Sequence, residues 1–194
     1  STLLATSLGT IAALGLSRPH MPYKALIMAI LISPMIVPLI ITAAGMFFFY
    51  SQLGLTHTFT GLILAHTALG TPFVVITVTA TLTGFDTNLI RASQSLGADT
   101  FRTFFKVIMP LILPGVISGA LFAFITSFDE VVVVLFIGSI EQITIPKQMW
   151  AGLRQETSPV ILSMATCLVL LSIALLTTVE LLRRRSERLR GINR

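Results

Sequence analysis

The apolar positions of the chain gather into five stretches, at roughly 1–17, 25–50, 59–84, 107–137 and 159–182, separated by short polar segments. A bilayer core of about 30 Å needs about 20 helical residues to cross it. The last four stretches reach that length. Lipid offers no water to satisfy backbone N–H and C=O groups, so spans of this length must be helices. The pattern therefore predicts an all-α, polytopic transmembrane bundle in a single domain over 1–194. The first stretch is short and opens without a methionine, in mid-hydrophobic sequence. It reads as the remainder of a cut helix, so five spans are visible and one N-terminal span is expected before Ser1. A cleaved signal peptide is the rival reading, but no small-residue cleavage site is visible.

Composition agrees with lipid as the main solvent. Of the 194 residues 54% are hydrophobic and only 11% charged, and the mean hydropathy is +0.91. Soluble domains carry about 25% charged residues. The charges that remain are asymmetric. Arg18 and Lys24 follow the first stretch, Arg91, Arg102 and Lys106 follow the third, and Arg183, Arg184, Arg185, Arg188, Arg190 and Arg194 form the tail. If the spans alternate, eleven of the thirteen basic residues fall on one side, with only Lys147 and Arg154 on the other. The positive-inside rule then places the 91–106 segment and the C-terminus in the cytoplasm. The net charge of +5 reads as topology and anionic-lipid contact, not as a nucleic-acid footprint. The 183–194 tail reads as a stop-transfer anchor. The single cysteine, Cys167, lies in an apolar run and cannot form an intrachain disulfide.

One polar island stands out. Arg91 to Pro110 reads RASQSLGADTFRTFFKVIMP. Small residues at Ala92, Ser93 and Ala98 permit close helix approach. Gly97 can take positive φ and turn the chain sharply between two short helices. Phe101, Phe104 and Phe105 offer an apolar face to anchor the segment to the bundle. Pro110 suits a first helical turn, where its missing N–H is no loss. The spacing is similar to the EAA loop of ABC importer permeases: E-A-A, three residues, G, nine residues, I-x-L-P. Here Arg91-Ala92-Ser93 stands for E-A-A, Gly97 is in register, and Val107-Ile108-Met109-Pro110 closes the pattern. The loop, over about 86–106, with His66 before Pro72-Phe73-Val74-Val75, the Gly84-Phe85-Asp86 string, Ser127-Phe128-Asp129-Glu130-Val131-Val132-Val133 and Ser158-Pro159, resembles the membrane subunit of a type I ABC importer of the spermidine/putrescine permease branch. The likeness covers nearly the whole chain. Arg91 and Ser93 depart from the usual Glu and Ala, which removes any carboxylate role at position 91.

What the resemblance implies is a multi-pass permease of a bacterial or archaeal plasma membrane that moves a small solute inward by alternating access. A polyamine is the first choice of solute; a phosphonate, iron or an amino-acid-like solute is the alternative within the branch. It implies an ABC ATPase dimer docking on Arg91, Ala92, Ser93, Gly97, Ala98 and Pro110. It also implies a second permease subunit, identical or homologous, and a periplasmic or extracellular binding protein. ATP and Mg would sit on the partner ATPase, with no cofactor on this chain. An intramembrane enzyme is the remote alternative. The sequence carries no G-x-S-x-G, no H-E-x-x-H and no Walker A lysine loop.

Four residues are candidates for the solute pathway. Asp129 and Glu130 interrupt a strongly apolar run, where a charge at mid-membrane costs about 2.5–3.5 kcal/mol. A straight helix from Val107 puts Asp129 about 33 Å along, near the outer mouth. The pair reads either as a lure for a cationic solute or as a helix-end hydrogen-bonding pair. On a helix their side chains would diverge by about 100°. His66 reads as a satisfied interior histidine or as a pathway residue. Trp150, with Met149, reads as an interfacial belt residue or as a stacking surface for an alkylammonium group. Metal binding is not expected, because His20 and His57 belong to opposite membrane sides from each other.

Overall fold

The computed structural model describes residues 1–18, 20–86, 88–155 and 159–189. Ser158, Arg190 and Arg194 lie outside the described residues. Every regular element among those described is helical: α1 (Thr2–Leu16), α2 (Lys24–Ile36), α3 (Leu39–Gln52), α4 (Phe59–Thr83), α5 (Asn88–Ser95), the single turn α6 (Thr100–Thr103), a π turn (Phe104–Ile108), α7 (Met109–Phe128), α8 (Val132–Ile137), α9 (Ile145–Gln155) and α10 (Pro159–Leu189). Arg183, Arg184, Arg185 and Arg188 continue the last helix.

The centre of the bundle is α4. In its most apolar stretch 61% of the residues are buried within the protein, against 28% for the helix formed by α6, the π turn and α7. Apolar helices in lipid gain little by hiding from solvent, so they associate where small residues let the backbones close in. That is how α4 is held. A Cβ on Gly9 of α1 would come within 2.6 Å of the Val74 Cβ. One on Gly119 of α7 would meet the Thr77 Oγ1 and come within 2.8 Å of the Val74 Cα. Gly115 abuts Thr81 and Thr77, and Gly70 abuts Ala123. Ala5, Ala13, Val74, Val78, Ile112 and Val116 fill the seam. A second cluster joins the other half of α4, through Leu62, Ala65 and Leu69, to Ala43 and Tyr50 of α3 and to Val133, Val134 and Ile137 of α8.

Two of the expected continuous spans are broken. The 25–50 stretch forms α2 and α3, bent by 106°. Pro34 sits inside α2, and Pro38 opens α3. A proline drives the residue before it out of helical geometry, and Val37 is extended at φ −71°, ψ 136°. The 107–137 stretch also stops, at Phe128, and restarts as α8. By contrast, Thr100–Phe128 is one unbroken helical path of 29 residues. Its π turn lies just before Pro110, with the Met109 N–H reaching back to the Phe104 carbonyl. A regular ladder would require an N–H from Pro110 to the Lys106 carbonyl, which proline lacks; the wider turn lets the helix continue.

The glycine contacts make a prediction. Gly119→Val forces the α4–α7 seam apart and should destabilise the detergent-solubilised protein by about 1–3 kcal/mol. Gly45→Val, where an added Cβ meets nothing within 4 Å, should be nearly neutral. Thermal unfolding of both variants checks this; equal midpoints would refute the seam.

Candidate functional site

The 86–110 segment is built by local capping. The Asp86 carboxylate accepts the Asn88 N–H at 2.9 Å and starts α5. Gly97, at φ +81°, reverses the chain, with its N–H donated to the Gln94 carbonyl at 2.9 Å. The positive φ expected of this glycine is therefore present. Asp99 then accepts the Arg102 N–H at 2.7 Å and starts α6. The two short helices are tied by Ser93 and Thr103, whose hydroxyls are 3.0 Å apart. Serine in place of the small apolar residue thus supplies a cross-link into the base of the long helix.

The exposed face of this loop differs from expectation. Phe101 and Phe105 do not anchor it. They are 75% and 57% exposed and stack on one another with centroids 6.0 Å apart; only Phe104 turns partly inward. Phe101 precedes the π turn and Phe105 lies within it, and Phe101 also borders the cavity behind the loop. Leu96, beside Gly97, is 89% exposed. Arg91, Ala92 and Pro110 are also exposed, while Ser93 and Ala98 are half-buried. Behind the loop lies an apolar cavity of about 520 Å³ lined by Leu14, Leu82, Phe85, Ile90 and Phe104, with Arg18 on its wall. Arg18 and the basic loop therefore share one end of the bundle.

At the other end α4, α7 and α8 converge. The His66 Nδ1 and the Ser127 Oγ are 2.9 Å apart, and Ser127 is in turn 2.9 Å from the Ser1 hydroxyl. The His66 Nε2 lies 3.9 Å from the Glu130 Oε2. Glu130 is buried and committed: Oε1 accepts the Val133 N–H at 2.8 Å and Oε2 the Val134 N–H at 3.2 Å. Its side chain, from the residue before the N-cap Val131, satisfies amides at the start of α8 that have no intrahelical acceptor. Asp129 differs. It closes α7 and is exposed. It borders a cleft of about 560 Å³ between the end of α7 and the α2–α3 break, which Glu130 also borders. The two carboxylates are separated by a break between helices, not by the 100° step of one continuous helix.

Trp150 sits half-exposed on α9 and lines neither this cleft nor the 310 Å³ cavity beside His66 and Ser127. Sequence reasoning missed Lys147 and Gln142. Lys147 donates to the Ser139 and Gln142 carbonyls at 2.7 and 3.1 Å. Buried Gln142 accepts the Ser139 N–H at 2.9 Å and donates to the His57 carbonyl at 3.4 Å. Together they clamp the loop after α8 onto the loop before α4. A glutamine amid isoleucines was the available signal. His57 itself is exposed, with φ +60°.

The family model for the binding-protein-dependent transport system inner membrane component matches residues 5–188. The chain is 31% identical over 184 residues to the spermidine/putrescine transport system permease protein PotC of Haemophilus influenzae, covering 95% of this chain and 72% of that protein. It is 31% identical to the PotC protein of Escherichia coli strain K12, covering 95% and 70%. The sulfoquinovosyl glycerol transport system permease protein SmoH of Agrobacterium fabrum is 30% identical over 139 residues, covering 72% of this chain and 49% of that protein. In fold, the chain superposes on a chain of the MetNI methionine ABC transporter in an inward-facing conformation. The TM-score is 0.68 at 20% identity, covering 95% of this chain and 90% of that one.

The capping geometry has a measurable outcome. Glu130→Ala leaves two buried amides without their acceptor and should destabilise the protein by about 1–3 kcal/mol. Glu130→Gln keeps one acceptor oxygen and should fall between. Thermal unfolding in detergent, read beside protection of the Val133 and Val134 amides from hydrogen exchange, distinguishes the three proteins. Unchanged protection in Glu130→Ala would dismiss the cap.

Proposed function

Because this chain belongs to the family of binding-protein-dependent transport system inner membrane components, we propose that its solute is a polyamine such as spermidine or putrescine. The chain is a permease subunit of a binding-protein-dependent ABC importer, in a multi-pass inner-membrane setting. The observation that carries the polyamine reading is the 31% identity to the PotC proteins across 95% of this chain. The abundance of basic residues at the loop end supports a cytoplasmic loop and C-terminus.

In this reading a binding protein delivers the solute at the α8–α9 end. A pair of ATPases grips the 86–110 loop from the cytoplasm, and a second permease completes the pathway. ATP and Mg are held by the ATPases, and this chain performs no chemistry. Leu96, Phe101 and the turn at Gly97 form the knob that enters the ATPase groove. Arg91, Ala92, Ser93, Ala98 and Pro110 shape its flanks and root. Closure of the ATPases passes from Ser93 to Thr103 and along the unbroken helix to Ser127 and Asp129. There α7, α4 and α8 are coupled through His66 and Glu130, and repacking of that cluster exchanges outward for inward access. Trp150 serves the outer membrane boundary. Solute specificity is set jointly by the binding protein and the pathway.

Reconstitution with the ATPase, the second permease and the binding protein tests this directly. Vesicles should accumulate spermidine or putrescine on ATP. Gly97→Trp, which puts a bulky ring on a backbone at φ +81°, should assemble and still hydrolyse ATP while uptake falls about tenfold or more. Uptake of an anionic sulfosugar conjugate in place of polyamine would transfer the solute assignment to the SmoH-like reading. Normal uptake by Gly97→Trp would remove the loop from coupling.

Topology has its own measurement. With Cys167→Ser as background, a cysteine at Leu96 should react with a membrane-impermeant thiol reagent only from the cytoplasm. A cysteine at Ile140, 93% exposed, should react only from outside. The reverse pattern overturns the orientation.

A further inference from the structure

The cavity behind the 86–110 loop has two kinds of wall. On the bundle side are the ends of α1 and α4, with Leu14, Leu82 and, just past α4, Phe85; on the other are Ile90 of α5 and Phe104 and Ile108 of the π turn. The loop helix α5 packs mainly on α6 and the π turn, where Ser93 and Thr103 tie it down. Toward α1 and α4 it leaves about 520 Å³ unfilled. The seam at Gly115 and Gly119 has no room for a Cβ, so loose packing is not a general property of this bundle. An empty apolar space forfeits the dispersion contacts its lining could make. Exposed Arg18 and Phe101 also line it, so it reaches the surface.

The charge around this space is one-sided. Among the described residues the Arg18 guanidinium has no ion pair or hydrogen bond, and neither has the side-chain amide of Gln94 on the loop wall. Among the described residues no carboxylate lines the cavity. The acids nearest in sequence, Asp86 and Asp99, lie outside it and accept the Asn88 and Arg102 amides. Arg102 and Lys106 stand exposed at the same end of the bundle. An apolar slot edged by an unpaired arginine and an amide donor is complementary to an acyl chain that carries an anionic headgroup. The planar fork of arginine donors matches two phosphate oxygens at once.

We propose that this cavity holds one anionic phospholipid, with an acyl chain among Leu14, Leu82, Ile90 and Phe104 and its phosphate on Arg18 and Gln94. A zwitterionic headgroup would bring its own cation toward Arg18, Arg102 and Lys106, so the net-anionic lipid is preferred. The bound lipid fills the space between loop and bundle and braces α5 against α1 and α4. The site needs only that this end of the bundle lie at a membrane surface, and it is independent of the solute.

The test compares the reconstituted transporter in vesicles of phosphatidylcholine alone and of equal parts phosphatidylcholine and phosphatidylglycerol. Leu82→Cys, in a Cys167→Ser background, is modified with a small neutral thiol reagent and followed on this chain by peptide mass spectrometry. Phosphatidylglycerol should slow the modification about fivefold, the worth of one basic residue at an anionic surface. Arg18→Gln should remove that slowing, and Arg18→Lys should keep most of it. A cysteine at Leu96, outside the cavity, reports the surface charge of the vesicles and should respond alike with and without Arg18→Gln. Native mass spectrometry of the extracted transporter gives an independent count. Arg18→Gln, and Ile90→Trp, which fills the slot but keeps the arginine, should each retain fewer phosphatidylglycerol molecules than the wild type. Equal modification of Leu82→Cys in the two vesicles, or slowing that survives Arg18→Gln, overturns the site. Protection that depends on the presence of the ATPase and not on the lipid gives the cavity to the ATPase and overturns it as well.

Discussion

Where Gly119 and Gly115 of α7 meet Val74, Thr77 and Thr81 of α4, there is no room for a Cβ atom. Gly9 of α1 stands in the same relation to Val74 from another side. Inside lipid, apolar surface gains little by being hidden, so contact distance and dispersion decide which helices pair. These glycines fix the depth and rotation of α1 and α7 on the central helix. Everything with chemical character follows from that registration. His66 comes opposite Ser127 because Gly70 sits opposite Ala123 about one turn further along each helix, and Glu130 reaches α8 because α7 ends where the seam puts it.

The two adjacent acidic residues show how one sequence motif divides into two roles. A break between α7 and α8 turns Glu130 inward to serve amides and leaves Asp129 outside. A carboxylate that accepts two N–H groups is held by the geometry of a single short helix. One that faces an open cleft is free to exchange partners. The distinction is set by backbone direction rather than by residue type.

Much of the architecture was legible in the sequence. The long apolar runs marked α4 and the α6–α7 path, the loop spacing marked 86–110, and Gly97 has the positive φ expected of it. Hydropathy was blind to backbone breaks, since Val37-Pro38 and Val131-Val132 are as apolar as a span. Pro34 and Pro38, four apart, carried the first break in plain view. The second followed from a glutamate three residues before Val133, the spacing of a cap. The outward turn of Phe101 and Phe105 was not legible. A π turn at Phe104–Ile108 interrupts the helical period there, and an extra residue in a helix leaves no mark in composition.

The long helix through α7 can be viewed as a rod held partway along. From Thr100 to the Gly115–Gly119 contact is about 26 Å, and from there to Phe128 about 17 Å. A rod gripped at such a fulcrum sends its two ends in opposite directions. A sideways push at the loop therefore arrives at the far end reversed in sense, reduced about 1.5-fold in travel and raised by the same factor in force. Opposed motions at the two ends of the bundle would then need only a single rigid part.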